Sequence, residues 1–254
     1  MKIGLYYFSG TGNTLLIARE FQKAFRAQGS DCELIPLEQI TQKTHDISFN
    51  DFDMVGLGFP VHAFDAPRIV DDFIKLLPAK RVNYFLFKTA GSDFQLGGST
   101  RRLRLALAER GWILKHESFL EMPPNVASNP SQERVDTVVA KARARVPEAV
   151  EQILTGKRIV LRDSYIQRAL SIINHFENLG CFMGSSNWYT DKNCILCGKC
   201  VRACPTRNIR LSSEKISFGH SCIFCLRCWW NCPQRAIRHR HTQWALLKKP
   251  YKLG

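Results

Sequence analysis

The chain has 254 residues, with 36 Lys and Arg against 22 Asp and Glu, a net charge of +14, and ten cysteines. That length suits two domains, and no stretch approaches the ~20 consecutive apolar residues of a spanning helix. The opening residues read as a strand and not as a secretory signal, so the expected setting is the cytoplasm, where thiols stay reduced and disulfides are disfavoured.

The apolar run Lys2 to Phe8 predicts a buried strand. The loop Ser9-Gly10-Thr11-Gly12-Asn13-Thr14 follows, then a helix over Leu15 to Ala27. A strand, a hydroxyl- and glycine-rich loop and a helix make a phosphate cradle, because loop amides and the helix N-terminus supply donors and partial positive charge. The side chains of Ser9, Thr11, Asn13 and Thr14 add donors, while Gly10 and Gly12 permit close backbone approach. No Lys or Arg lies within residues 9–14, so dipoles and hydroxyls alone are expected to meet the phosphate charge. The chain lacks the Gly-Lys-Ser/Thr ending of a Walker motif, and Leu15 stands where a Rossmann fingerprint has its third glycine. The loop resembles the phosphate loop of flavodoxins, which implies FMN; the alternative is a helix cap on an unliganded domain.

Further strands are predicted over Cys32–Pro36, Asp53–Gly58, Val82–Lys88 and Trp112–Leu120. Helices are predicted over Pro67–Leu77, Ser99–Arg110 and Gln132–Leu154, and Cys32 is expected in the core. This alternation predicts an α/β doubly wound parallel sheet. The flavodoxin resemblance implies the order 2-1-3-4-5, with the ligand at the switch between the first and third strands. Two further loops, Phe59 to Pro67 and Thr89 to Gly98, then border the flavin. Their candidate contacts are Pro60, Val61, His62, Phe64, Thr89, Ala90, Gly91 and Asp93. Flavodoxins commonly stack Trp or Tyr on the ring; this sequence offers Phe59, His62, Phe64 and Phe94, which leaves the stacking residue open. His62 stacks on the flavin, donates to it, or lines the loop.

Residues 1–155 thus form the expected FMN-binding domain, and residues 156–184 a helical linker. In the linker Ile166, Ala169, Leu170, Ile173, Phe176 and Leu179 recur at near-helical intervals over Ser164–Leu179. This amphipathic helix packs between the domains or lies on a membrane; Cys181 is read as packing.

Residues 185–240 carry the run Cys194-x-x-Cys197-x-x-Cys200-x-x-x-Cys204-Pro205 and, 28 residues on, Cys222-x-x-Cys225-x-x-Cys228-x-x-x-Cys232-Pro233. Structural zinc prefers two separated short-spaced pairs, which this run is not. It resembles the bacterial two-cluster ferredoxins, in which each fourth cysteine ligates the other cluster. That resemblance implies a small α+β ferredoxin-like domain with two 4Fe–4S clusters. Cluster one takes Cys194, Cys197, Cys200 and Cys232; cluster two takes Cys204, Cys222, Cys225 and Cys228. Pro205 and Pro233 stop a helix from running on, and Gly198 gives its loop backbone freedom. Ile195, Leu196, Ile223, Phe224, Leu226, Trp229 and Trp230 would exclude water from the thiolates. Residues 241–254 form a basic, aromatic tail, read as an interface segment or a solvated end.

The charge is uneven: residues 156–254 hold 17 Lys and Arg against 4 Asp and Glu. A basic face around clusters would steer an acidic redox protein, such as a ferredoxin or flavodoxin, or meet an anionic membrane surface peripherally. The basic residues are scattered and fit no nucleic-acid motif, so nucleic acid is the least favoured partner. As a whole the chain resembles flavodoxin–ferredoxin fusion proteins. The resemblance implies electron transfer between FMN, two clusters and an external redox partner. An alternative is a flavin-dependent reductase of a small-molecule acceptor fed through the clusters; a more distant one is a nucleic-acid-binding protein with structural clusters. No acid–base pair or second dinucleotide fingerprint marks a catalytic residue, so the chain reads as a carrier without a dedicated substrate site.

Overall fold

The computed structural model describes residues 1–42, 49, 51–62, 64–91, 100–169 and 184–254. Five strands, β1 (Lys2–Tyr7), β2 (Asp31–Pro36), β3 (Met54–Pro60), β4 (Val82–Ala90) and β5 (Trp112–Glu121), pair in the order β2-β1-β3-β4-β5. Every pairing is parallel. Helices α1 (Asn13–Ala27), α3 (Arg68–Leu76), α4 (Arg101–Glu109) and α5 (Gln132–Leu154) cover the faces, and a single turn, α2 (Leu37–Thr41), follows β2. Sequence periodicity had no reach over α2, which is too short to show a repeat; burial of Leu37 and Ile40 holds it.

Alternation along the strands builds two cores. Ile3 and Leu5 of β1, with Phe85 and Phe87 of β4, meet Ile17 and Phe21 of α1 and Val139 and Val146 of α5. Tyr6, Leu57 and Leu86 point the other way, onto Val70 and Phe73 of α3 and Leu103 of α4. Each such large side chain contributes about 1.5–3 kcal/mol on burial. The register pairs Tyr7 with Gly58 and Pro60 with Thr89, so β1, β3 and β4 deliver their C-terminal loops to one edge. That edge is the topological switch point, where parallel sheets bind ligands.

Residues 156–163, expected to begin the linker, stay on the sheet. The Glu117 N–H donates to the Ile159 carbonyl at 2.9 Å and the Ile159 N–H to that of Lys115 at 3.2 Å. Arg104 ties Glu117 (2.6 Å) to Asp163 (2.7 Å). Residues 165–169 are helical, with Tyr165 and Ile166 exposed. The rest of the expected helix, including Leu170, Ile173, Phe176 and Leu179, lies outside the described residues, as does Cys181. Cys32 is fully buried.

The second unit is built from two small antiparallel ladders, β6 (Trp188–Thr190) with β9 (Ile237–His239) and β7 (Ile209–Leu211) with β8 (Ile216–Phe218). Trp188, Ile209, Ile216, Leu226, Trp229 and Ile237 form its core. The 28-residue repeat extends to the backbone. Leu196 (φ 52°) answers Phe224 (φ 48°), Gly198 (φ 69°) answers Leu226 (φ 60°), and Arg207 (φ 52°) answers Arg235 (φ 47°), all left-handed. The two cysteine loops therefore share one backbone shape, with only one of the six positions relieved by glycine.

The tail departs from a solvated end. Leu246 and Leu247 are buried in the second unit's core. The Ala127 N–H donates to the Ala245 carbonyl (2.8 Å), and Val126 bridges Leu246. Arg143 holds the Gly254 carbonyl at 2.5 Å. Among the described residues no helix is long and apolar enough to cross a membrane.

Candidate cofactor sites

At the C-terminal edge of the sheet lies a cavity of about 350 Å³ lined by Ser9, Gly10, Thr11, Asn13, Thr14, Pro60, Val61, His62, Phe64, Thr89, Ala90 and Gly91. Three loops distant in sequence converge there. Gly12 stands just behind as the residue before α1, with a left-handed φ of 108° that demands glycine. Asp93 and Phe94 lie outside the described residues, and Phe59 is buried in the core away from the cavity.

Cradle chemistry fits a phosphate. Helix α1 starts without a side-chain cap and without an acidic residue in its first turn, so its N-terminal amides and dipole are left for an anion. Thr11 Oγ1 is buried with no hydrogen-bond partner among the described residues. Ser9 Oγ accepts from the Gly12 N–H at 3.2 Å, shaping the loop. The Thr14 hydroxyl sits 2.9 Å from that of Thr89, joining the first and fourth-strand loops. Asn13 corrects the expectation that its side chain serves the phosphate: its amide nitrogen donates to the Pro123 carbonyl (2.9 Å) and to the Tyr251 hydroxyl (3.0 Å).

Sequence reasoning missed two walls. One is Pro123 to Ala127, after β5; the other is Phe224, Cys225 and Leu226, from the cysteine-rich unit. Neither carries a glycine-rich or charged signal of its own. The expected all-dipole cradle also gains a cation from outside residues 9–14: Arg227 Nη2 donates to the Ser9 carbonyl at 2.7 Å and Nε to the same oxygen at 3.2 Å. Gly10 is tight against this second unit; a Cβ there would lie 2.2 Å from the Cys225 carbonyl oxygen. Its smallness thus serves the contact between units as well as the loop. His62 is half-buried and reaches across to a hydrogen bond with the Ile223 backbone. Burial pushes its pKa down to about 4, against the raising effect of that bond, so the ring is neutral at pH 7. Phe64, with φ 68°, projects into the cavity from a strained turn.

The cysteines group into two smaller cavities. Cys194, Cys197, Cys200 and Cys232 line one. Cys204, Cys222, Cys225 and Cys228 line the other, together with Phe224 and Leu226. Each set takes its fourth thiol from the opposite repeat. Among the described residues no three His, Cys, Asp or Glu side chains close on a point that would hold a single metal ion. Backbone amides already serve the sulfurs: Asn208 N–H on Cys204 Sγ (3.3 Å), Phe224 N–H on Cys222 Sγ (3.3 Å) and Ala236 N–H on Cys232 Sγ (3.2 Å). Burial pushes Cys222 up to about 12, Cys225 up to about 11 and Cys228 well above the ordinary thiol value. Burial thus favours the neutral thiol at these three positions unless a positive charge compensates. The two centres differ in depth, since Cys197 and Ile195 are exposed whereas the second set lies against the 350 Å³ cavity.

Residues 186–233 match the family model of the 4Fe-4S dicluster domain. No curated protein matches the chain in sequence. Similar solved structures include Flavodoxin 2 from Bacillus cereus in oxidised form, at 18% identity over 60% of this chain and 99% of that one, with a TM-score of 0.44. A flavodoxin of Streptococcus pneumonia TIGR4 is 14% identical over 60% and 99%, TM-score 0.42. Two-electron reduced Megasphaera elsdenii flavodoxin is 22% identical over 59% and 98%, TM-score 0.37. The strand order itself, with all pairings parallel and the ligand edge at β1 and β3, carries the fold assignment. The chain thus joins a five-stranded parallel sheet in the flavodoxin-like order 2-1-3-4-5 to a segment that matches the 4Fe-4S dicluster domain.

Proposed function

We propose that the protein transfers electrons between FMN in the 350 Å³ cavity, two 4Fe–4S clusters and an external acidic redox protein. The observation that carries this reading is a shared wall: Phe224, Cys225 and Leu226 line both the flavin-sized cavity and one thiol-framed cavity. Bound there, FMN supplies one- and two-electron chemistry and the clusters supply single-electron steps. Cys204, Cys222, Cys225 and Cys228 would hold the proximal cluster; Cys194, Cys197, Cys200 and Cys232 would hold the distal one. Thr11, Thr14, Ser9 and the α1 amides would hold the phosphate, and the loops after β3, β4 and β5 would enclose the ring. Leu226, Ile223 and Trp229, all buried, keep water from the proximal thiols. The exposed Cys197 edge, flanked by exposed Lys199 and Arg202, is the face offered to the partner.

An anaerobic reductive titration followed by visible absorption and EPR tests the cofactor set. Flavin and about eight iron atoms per chain are expected, on the stoichiometry of two cubanes. Cys197→Ser is expected to remove one cluster and leave FMN and the other in place. Loss of flavin along with iron in that variant would refute the separate-site reading.

A further inference from the structure

We propose that Arg227 is a positioning residue that couples the two proposed cofactor sites, so that the affinity of the cavity for FMN and the reduction potential of the proximal cluster depend on the same side chain. This inference rests on the cofactor assignment above and goes beyond it. Arg227 sits in Cys225-Leu226-Arg227-Cys228, inside the proximal cysteine loop. Its guanidinium leaves that loop and grips the other domain. Nε and Nη2 converge on the Ser9 carbonyl, while Nη1 reaches Glu38 Oε1 at 2.5 Å and the Ala203 carbonyl at 3.4 Å. The cation lies 5.4 Å from the centre of the Phe8 ring, and its side chain is only 18% exposed.

Two consequences follow from this placement. First, a trans peptide sets its N–H opposite its C=O. Holding the Ser9 carbonyl therefore turns the Gly10 N–H away from the cluster loop and fixes the first turn of the phosphate cradle. Second, a half-buried cation beside Cys225 stabilises negative charge on the proximal centre, and reduction adds negative charge there. Glu38, bound to Nη1, sets a negative charge against that cation. Glu38 is the counterweight: its Oε2 is buried without a partner among the described residues. Coupling of this kind is reciprocal, so whatever flavin loading does to cluster reduction, reduction does to flavin affinity.

Three variants of the full holoprotein test the idea through FMN affinity, read by flavin fluorescence, and cluster potentials, read by EPR-monitored titration. The Cys197→Ser background identifies the proximal signal. Arg227→Gln is expected to weaken FMN binding by about tenfold or more, the loss of charge-assisted hydrogen bonds. It is also expected to shift the proximal couple to more negative potential, with the distal couple unmoved. Arg227→Lys keeps the charge and loses the fork, so it weakens FMN binding with little change in potential. Glu38→Gln leaves the cation uncompensated and moves the proximal couple the opposite way, to more positive potential. The proposal is overturned if Arg227→Gln leaves FMN affinity unchanged, if both cluster couples shift alike, or if the Gln variants at 227 and 38 shift the proximal couple in the same direction. If Arg227→Gln does not fold, the Lys variant and Glu38→Gln decide by the same criteria. Wild-type protein without flavin or with one cluster would instead refute the cofactor assignment, a distinguishable failure.

Discussion

Gly10 acts at the contact between the two units, and His239 acts inside the cysteine-rich unit. A methyl group on Gly10 would meet a backbone oxygen, Cys225 O, at 2.2 Å, and a backbone atom has no rotamer by which to escape. Gly10→Ala is expected to cost about 1–3 kcal/mol in overpacking and to move the phosphate loop off the cluster loop. Flash reduction of the flavin would then show slower reoxidation by the clusters; wild-type stability and rate in this variant would contradict the tight contact. His239 works as a neutral ring. Its Nδ1 receives the Thr242 N–H (3.1 Å), the Thr242 hydroxyl (2.8 Å) and the His241 N–H (3.3 Å), and its Nε2 faces the Gly184 carbonyl at 3.0 Å. Burial lowers its pKa, with the neighbouring His241 adding to the effect and the Gly184 bond opposing it. A histidine whose folded pKa lies below the unfolded value of about 6.5 contributes full stability above that pH and loses it as pH falls. The thermal midpoint of the wild type is expected to drop between pH 7 and pH 5.5 more steeply than that of His239→Gln. Equal slopes would assign the acid sensitivity elsewhere.

At the scale of elements, the tail is the part whose role the structure changes most. The Tyr251 hydroxyl lies 2.9 Å from the Pro123 carbonyl and 3.1 Å from Asn13 Oδ1, with Asn125 Oδ1 closer still. Leu253 packs on Gly12, and the Tyr251 ring meets Trp230 at 4.9 Å. One strand of tail thus fastens the loop after β5, the start of α1 and the cysteine-rich unit together. Tyr251→Phe keeps the ring and strips the hydroxyl, leaving Asn13 and Asn125 short of a partner at about 1–2 kcal/mol. FMN release, followed by recovery of flavin fluorescence, should accelerate several-fold; an unchanged release rate would mean the tail does not hold that wall. This contact also marks the limit of what the amino-acid pattern conveys. The five strands, four long helices and phosphate loop were legible because each has a periodicity or a local composition. The cysteine sets were legible through their spacing. The tail strap, the Pro123–Ala127 wall and the Arg227 clamp join residues about 110 to 240 positions apart, with no periodic signal at either end. Asn13 lines the cavity, but the partners that occupy its side-chain amide lie 110 and 238 residues downstream, beyond the reach of any local pattern.

Across the whole molecule, charge and depth point the same way. The half that holds the cysteines carries 17 Lys and Arg against 4 Asp and Glu, while the flavodoxin-like half is nearly balanced. Eight thiolates on the two proposed cores of about +2 each would offset only about four of those charges, which would leave the surface around them basic. The flavin-sized cavity lies at the junction of the two units, whereas Cys197 and Ile195 of the distal set face solvent. Arg202 is anchored there by its own hydrogen bond to the Cys197 carbonyl at 3.2 Å, which fixes a cation beside the exposed thiol. A partner approaching this face is attracted over roughly a Debye length, about 30 Å at 0.01 M salt and 8 Å at 0.15 M. The second-order rate of electron exchange with an acidic ferredoxin or flavodoxin should therefore fall about tenfold or more over that range, by loss of steering. Replacing both Lys199 and Arg202 with Gln should flatten this dependence while leaving FMN content untouched, because neither side chain lines the flavin cavity. Stopped-flow mixing at a series of ionic strengths reads both effects. A rate that ignores salt, or a double variant with the wild-type salt slope, would place the partner on another face of the protein.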